Sequence, residues 1–347
     1  MDSTVIPVSK LREFLIELFK EVGLNNSHAR IVADSILCAE LRGVKSHGLV
    51  RVSTYIERVE KKATNINAKI KTEKIKKATA LINADHGFGQ IAGFYGMKLA
   101  ITLAKKYGVG LVGIKNSNHF GIASFYSMLA LKHDMIGIVL TNSSPAIAPY
   151  GSSKPLLGTN PLSIAIPSKE EKPIILDMST SVVARGKIRL AKLKNQKIPF
   201  GWALDPSGRD TDDPDLALKG SLVPIGGPKG SGLSLVIDIL CGVLTNTCLT
   251  GEVKNVTDMT GPSKTGHLFC AVNIDNFIEK NVFKSNIDEI IRKIKSLPSI
   301  NNLQIFLPGE IENNLEEKSL REGIDLDSNL IDELSRLASR YKIKNLI

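Results

Sequence analysis

Apolar residues in roughly the first sixty positions recur every three or four places, the spacing that gathers them on one side of an α-helix. One such run covers 10–22. Ser27 is placed to cap a second helix reaching about Leu41, because its hydroxyl can accept a free backbone N–H. A third helix is expected over 48–61. Beyond a lysine-rich connection, 69–77, short β-branched runs alternate with longer amphipathic stretches, the signature of a mixed α/β chain. Strands are predicted over 80–84, 110–115, 136–141, 163–166, 174–177 and 268–272. Helices are predicted over 90–106, 123–133, 181–193, 230–244 and 287–296, and a last one over 329–341 follows a charged link. No internal repeat or low-complexity tract interrupts the pattern.

With 347 residues, 43% of them hydrophobic, the chain can bury a large core in one domain or two interleaved ones. Its longest apolar stretch, 233–244, contains Asp238 and Gly242 and is shorter than the roughly 20 residues of a membrane helix, so no membrane partner is expected. The N-terminal segment lacks the features of a secretory signal, which predicts a cytoplasmic protein. A net charge of +10 is spread over lysines interleaved with acids; with one Trp and no nucleic-acid motif, it argues against DNA or RNA and for anionic substrates and a phosphorylated cofactor. Cys38, Cys241, Cys248 and Cys270 form no C-x-x-C pair and read as reduced, packed thiols. No His or Cys cluster has metal-ligand spacing, so no metal is expected.

A nucleotide cofactor first suggests G-x-G-x-x-G, and Gly108-Val109-Gly110-Leu111-Val112-Gly113 matches it literally. The dinucleotide fingerprint must leave a strand and open a helix, whereas these glycines follow a predicted helix and lie in a predicted strand. Gly226-Gly227-Pro228-Lys229-Gly230-Ser231-Gly232 precedes an apolar helix, offering close backbone approach, free N–H groups and a cation. It reads as an anion site or as a flexible turn.

In the third predicted helix His47, Arg51, Tyr55 and Arg58 share one face, with Leu49, Val52, Ile56 and Val59 opposite. Arginine grips a carboxylate through two parallel hydrogen bonds, and histidine exchanges protons near neutral pH, so the stripe suits a 2-hydroxy acid. A solvated helix face is the alternative. His119, in Asn116-Ser117-Asn118-His119-Phe120-Gly121-Ile122-Ala123, leaves a predicted strand for a helix, where α/β proteins present ligands with side chains. It could equally satisfy the helix N-terminus. His28, His86, His133 and His267 lack such neighbours and read as structural or surface residues.

The ordered set Ser46-His47-Gly48 with Arg51, NSNHFGIA, Thr141-Asn142-Ser143-Ser144-Pro145, Leu157-Gly158-Thr159-Asn160-Pro161, Leu176-Asp177-Met178-Ser179-Thr180, Ala184-Arg185-Gly186-Lys187, GGPKGSG and Leu307-Pro308-Gly309-Glu310 resembles the type-2 malate/L-lactate dehydrogenase family over nearly the whole chain. That family includes malate, L-lactate, sulfolactate and ureidoglycolate dehydrogenases and some cyclic-imine reductases. The resemblance implies a mixed-sheet, non-Rossmann NAD(P)-binding domain (76–310), a mainly helical second domain (1–75 joined by 311–347) and a homodimer. It implies an NAD- or NADP-dependent dehydrogenase acting on a small 2-hydroxy or 2-keto acid. A cyclic-imine reductase and a non-catalytic nucleotide-binding protein are the alternatives. By the same resemblance His119, or His47 with Ser46, exchanges the proton; Arg51 binds the substrate carboxylate, with Tyr55 beside it on the helical stripe. Cofactor contacts are implied at His119, Phe120, Gly121, Ile122, Ala123, Ser143, Asp177, Met178, Ser179, Lys229, Gly230, Pro308, Gly309 and Glu310.

Overall fold

The computed structural model describes residues 3–346. Strand β1 (Ser3–Ile6) leads into α1 (Val8–Glu21) and α2 (Asn26–Leu41), which bury Leu11, Leu15 and Leu18 against Val32 and Ile36. Asn25, rather than Ser27, caps α2, its side chain accepting the His28 N–H at 2.9 Å. The third helix also departs from expectation. Two 3-10 turns, Lys45–His47 and Leu49–Arg51, precede α3 (Val52–Glu60). The buried Glu40 carboxylate accepts the Leu49 N–H at 2.9 Å and would lie 2.1 Å from a Cβ at position 48. A side chain there would have to push that carboxylate off the Leu49 N–H, so glycine lets the backbone kink around it.

The lysine-rich connection contains an exposed edge strand, β2 (Lys71–Lys76), antiparallel to β3 (Thr79–Asn83). Its charges discourage further strand pairing. There follow α4 (Gly89–Tyr107), β4 (Val109–Ser117), α5 (Ser124–Ser127), a 3-10 segment Met128–His133, β5 (Met135–Thr141), β6 (Leu162–Ile166), β7 (Ile174–Met178) and α6 (Arg185–Leu193). A small ribbon that the sequence pattern did not predict comprises β8 (Ala203–Leu204) and β9 (Ser221–Leu222), with α7 (Pro214–Lys219) between them. The chain continues through α8 (Pro228–Asp238), a π turn Ile239–Val243, β10 (Thr265–Asn273), α9 (Lys280–Lys295), α10 (Glu310–Glu322), β11 (Ile324–Asp327) and α11 (Ser328–Tyr341). The expected charged link is thus largely helix α10. Its apolar residues Ile311, Leu315 and Leu320 stay exposed, so no buried stripe marked it.

Seven strands form one mixed sheet in the order β2-β3-β4-β10-β5-β6-β7, in which only β3 and β4 run parallel. The late strand β10 lies in the middle, an order foreign to the doubly wound Rossmann sheet. Gly108 ends α4 at φ 85°, and the other two glycines of the literal fingerprint lie inside β4, so no helix starts there to meet a phosphate. Met97 and Ile101 of α4 pack on Ile114, Val139 and Phe269 of the sheet. A separate cluster joins α1–α3 to β11 and α11, and β1 pairs with β11 from Ser3 opposite Asp327 to Ile6 opposite Ile324.

Candidate active site

His119 is held by the turn that leaves β4. Asn118, just before it, uses its whole amide: Nδ2 donates to the His86 and Gly87 carbonyls, while Oδ1 accepts from Arg58 and the Ser263 N–H. A Cβ at Gly89 would stand 2.2 Å from the Asn118 carbonyl oxygen and 2.6 Å from that of His119, so glycine lets α4 start against this turn. Nδ1 of His119 accepts the Gly121 N–H at 3.3 Å and lies 2.9 Å from the Tyr55 hydroxyl. A backbone N–H can only donate, so the ligand-free neutral ring carries its proton on Nε2, and that proton must pass to Nδ1 before Nε2 can act as a base.

The 3-10 turns before α3 supply the facing wall. The His47 ring stacks on His119 with centroids 5.4 Å apart, and its Nδ1 lies 2.9 Å from the Ser46 hydroxyl. Arg51 donates from Nε to the Ser46 carbonyl at 2.8 Å, leaving its two terminal nitrogens without a partner among the described residues. Burial lowers the pKa of His119 well below the usual histidine range, and the repulsion a charged ring would meet from His47, once protonated, and from Arg51 adds to the effect. Burial, then Arg51, pulls His47 down to about 4. Burial raises the Tyr55 hydroxyl, which therefore stays protonated.

Ser46, His47, Arg51 and His119 line one cleft of about 1090 Å³. The stripe read from the sequence is only partly a cleft surface. Tyr55 is buried behind His119, and Arg58 is fully buried, donating to the carbonyls of Ala63, Val256, Asp258 and Gly261 as well as to Asn118. Arg58 thereby ties the loop around Val256 to α3.

Phe120, Gly121, Ile122, Ala123, Ser143, Asp177, Met178, Ser179, Pro308 and Gly309 line the same cleft. Three expected contacts are placed elsewhere. Lys229 is exposed at the start of α8, Gly230 packs on the Ile225 backbone, and the Glu310 carboxylate accepts the Leu307 N–H while pairing with Lys295. The cleft also contains residues to which sequence reasoning gave no role: Arg42, Arg185, Arg189, Lys254 and Glu312. Arg185 stood in a quoted motif, but nothing in its spacing pointed at the cleft.

The donor set suits a nucleotide. Asp177 accepts the Ser124 N–H through one oxygen at 2.8 Å, leaving the other for ribose hydroxyls, and Ser143, Thr159 and Ser179 add hydroxyls nearby. Residues 6–335 match the family model described as malate/L-lactate dehydrogenase. The chain belongs to this family. It is 42% identical over 340 residues to a malate/(S)-sulfolactate dehydrogenase of Methanothermus fervidus, covering 98% of this chain and 99% of that one. A malate dehydrogenase of Pyrococcus abyssi is 38% identical over 350 residues, with 98% and 96% covered. The solved sulfolactate dehydrogenase of Methanocaldococcus jannaschii superposes with a TM-score of 0.94 at 38% identity, covering 99% of this chain and 98% of that one. Family membership and the mixed sheet bear out the expected reaction family and fold class.

Proposed function

We propose that this enzyme interconverts a small 2-hydroxy acid and its 2-oxo acid with NAD or NADP. The observation that carries the reading is the placement of His119, its Nδ1 engaged, opposite Arg51 in the cleft. Arg51 holds the substrate carboxylate through its free nitrogens, aligning the adjacent carbon. When bound beside Asp177, Ser143 and Ser179, a nicotinamide cofactor would supply or accept the hydride at that carbon. In reduction the charged His119 ring gives the substrate oxygen its Nε2 proton and keeps its Nδ1 proton on the Tyr55 oxygen; in oxidation the bare Nε2 takes the proton of the substrate hydroxyl. A hydroxyl both donates and accepts, so Tyr55 stays bonded to Nδ1 as the ring charge changes. The substrate carboxylate offsets the repulsion of Arg51 and so favours the charged ring in the complex.

Asp177 with Ser143 and Ser179 is assigned to the cofactor. The working form is assigned as a homodimer, because α8 and the turn after it leave Leu235, Val236, Ile239, Val243 and Leu244 exposed as an apolar face that a second copy of this chain would cover. Light scattering on the purified protein tests that assignment.

The reaction is tested by following nicotinamide absorbance while crossing NADH and NADPH with pyruvate, oxaloacetate and sulfopyruvate, with ureidoglycolate in the oxidative direction and a cyclic imine acid as the rival substrate. Turnover of at least one 2-oxo acid is expected, abolished by His119→Asn. Cofactor binding without turnover of any of these acids would sink the reading, and an inactive His47→Asn beside an active His119→Asn would transfer the proton to His47.

A further inference from the structure

Helix α6 forms a wall of the cleft that no part of the proposed chemistry has used. Ile188 is fully buried on its inner face, while Arg185, Arg189 and Leu193, four residues apart, line the cleft. The helix begins close to the proton-transfer residues: a Cβ at Gly186 would lie 3.5 Å from the Ser46 Cβ. Arg185 is committed, its Nη2 donating to the Leu218 carbonyl at 2.6 Å. Arg51 is committed through Nε, and Lys254 through Thr260 at 2.9 Å. Arg42 is committed to Asn313 and Glu316. Arg189 is the one cleft-lining cation with neither a hydrogen bond nor an ion pair among the described residues, although neighbouring Lys192 on the same helix pairs with Asp215.

Among the described residues no carboxylate pairs with Arg189 on this wall. Among the described residues the acids lining the cleft are Asp177 and Glu312, and the charges felt by Asp177 are those of Arg42 and Glu312, whereas the charges felt by Arg51 are those of Tyr55 and Arg189. Two guanidiniums facing one space repel until an anion lies between or beside them, and a substrate with a single carboxylate satisfies only Arg51. Arg189 is left for a second negative group on the same small molecule.

We propose that Arg189 is a specificity-determining residue that binds a second anionic group, a carboxylate or a sulfonate, at the far end of the 2-oxo acid, making dianionic substrates the preferred class. The inference rests on the proposed dehydrogenase reaction and narrows it. A guanidinium fork matches two oxygens of either group, so the placement serves both chemistries.

The test compares wild-type enzyme with Arg189→Gln and Arg189→Lys on oxaloacetate, sulfopyruvate and pyruvate at saturating cofactor. Wild type should favour at least one dianion over pyruvate by about tenfold or more, and Arg189→Gln should lose about ten- to hundredfold in kcat/KM on it, chiefly through KM. Pyruvate turnover and cofactor KM should not change, and Arg189→Lys should recover part of the loss. Comparing oxaloacetate with sulfopyruvate tells which anionic group is read. An equal fall on pyruvate, no fall on the dianions, or a change confined to the KM for NADPH would overturn the assignment while leaving the dehydrogenase reading intact. A wild type inert on all three acids would overturn the dehydrogenase reading itself.

Discussion

The Tyr55 hydroxyl stands 2.9 Å from Nδ1 of His119, behind the ring as seen from the cleft. This contact fixes which nitrogen faces substrate and keeps a partner for the ring in both charge states. Removing it in Tyr55→Phe should lower kcat by about tenfold, the loss of one hydrogen bond of about 1.4 kcal/mol at the transition state, with little change in KM. Steady-state kinetics decide it. A raised KM at unchanged kcat would mean that Tyr55 serves binding instead.

The pH profile follows from the direction in which His119 is shifted. In oxidation the neutral ring must take a proton, and its pKa lies well below 6.5. The kcat/KM for hydroxy-acid oxidation should therefore be level above pH 6.5 and fall only in more acidic solution. Reduction, which needs the proton, should gain as pH falls through the same region. An oxidation profile that His119→Asn leaves unchanged in shape would assign the titration to another group.

Arg58 holds five acceptors from a position with essentially no solvent contact. Arg58→Met should destabilise the fold by about 3 kcal/mol or more, because several buried acceptors lose their donor at once. Urea unfolding measures this as a lower midpoint. A midpoint equal to that of wild type would show that the loop around Val256 is held by other contacts.

His267 is buried in β10, where its ring stacks on Phe120 with centroids 4.5 Å apart. Nδ1 lies 2.7 Å from the Thr141 hydroxyl and Nε2 lies 2.8 Å from that of Ser117, and burial pulls the ring down to about 3. Unfolding frees it to titrate near 6.5, so between these values the unfolded chain binds the extra proton. Its stabilising effect is complete above pH 6.5 and is lost as pH falls toward 3, by about 1.4 kcal/mol per unit. Thermal unfolding should show a falling Tm below neutrality and a shallower fall in His267→Gln. An identical slope in the variant would assign the acid sensitivity to other groups.

The helices and sheet strands with long periodic runs were legible in the sequence because burial repeats along them. The elements missed have a common cause. β2 is an exposed lysine-rich edge, α10 leaves its apolar residues in solvent, and β8 and β9 have two residues each, so none carries a periodic signal. The cleft was half legible. Ser46, His47, Arg51 and His119 flank chain reversals where chemistry is usually placed, but Arg58 reads from sequence like its neighbour Tyr55, and only three-dimensional packing shows its carbonyl cage. Arg189 sits among other basic residues, and what separates it from Lys192, which pairs with Asp215, is that it has no ion-pair partner among the described residues.

The pairing of residues 3–6 with 324–327 sets an order of assembly during synthesis. Helix α1 emerges from the ribosome with Leu11, Leu15 and Leu18 uncovered, and part of their cover, Leu330, Leu334 and Leu337, is made only after every strand of the large sheet. A nascent chain must therefore keep an apolar face from aggregating until α11 has been translated. The turn bearing Ser46 and Arg51 belongs to that early segment, so a chain released short of β11 would hold Ser46, His47, Arg51 and His119 and still lack the strand and helix that cover the helices around them.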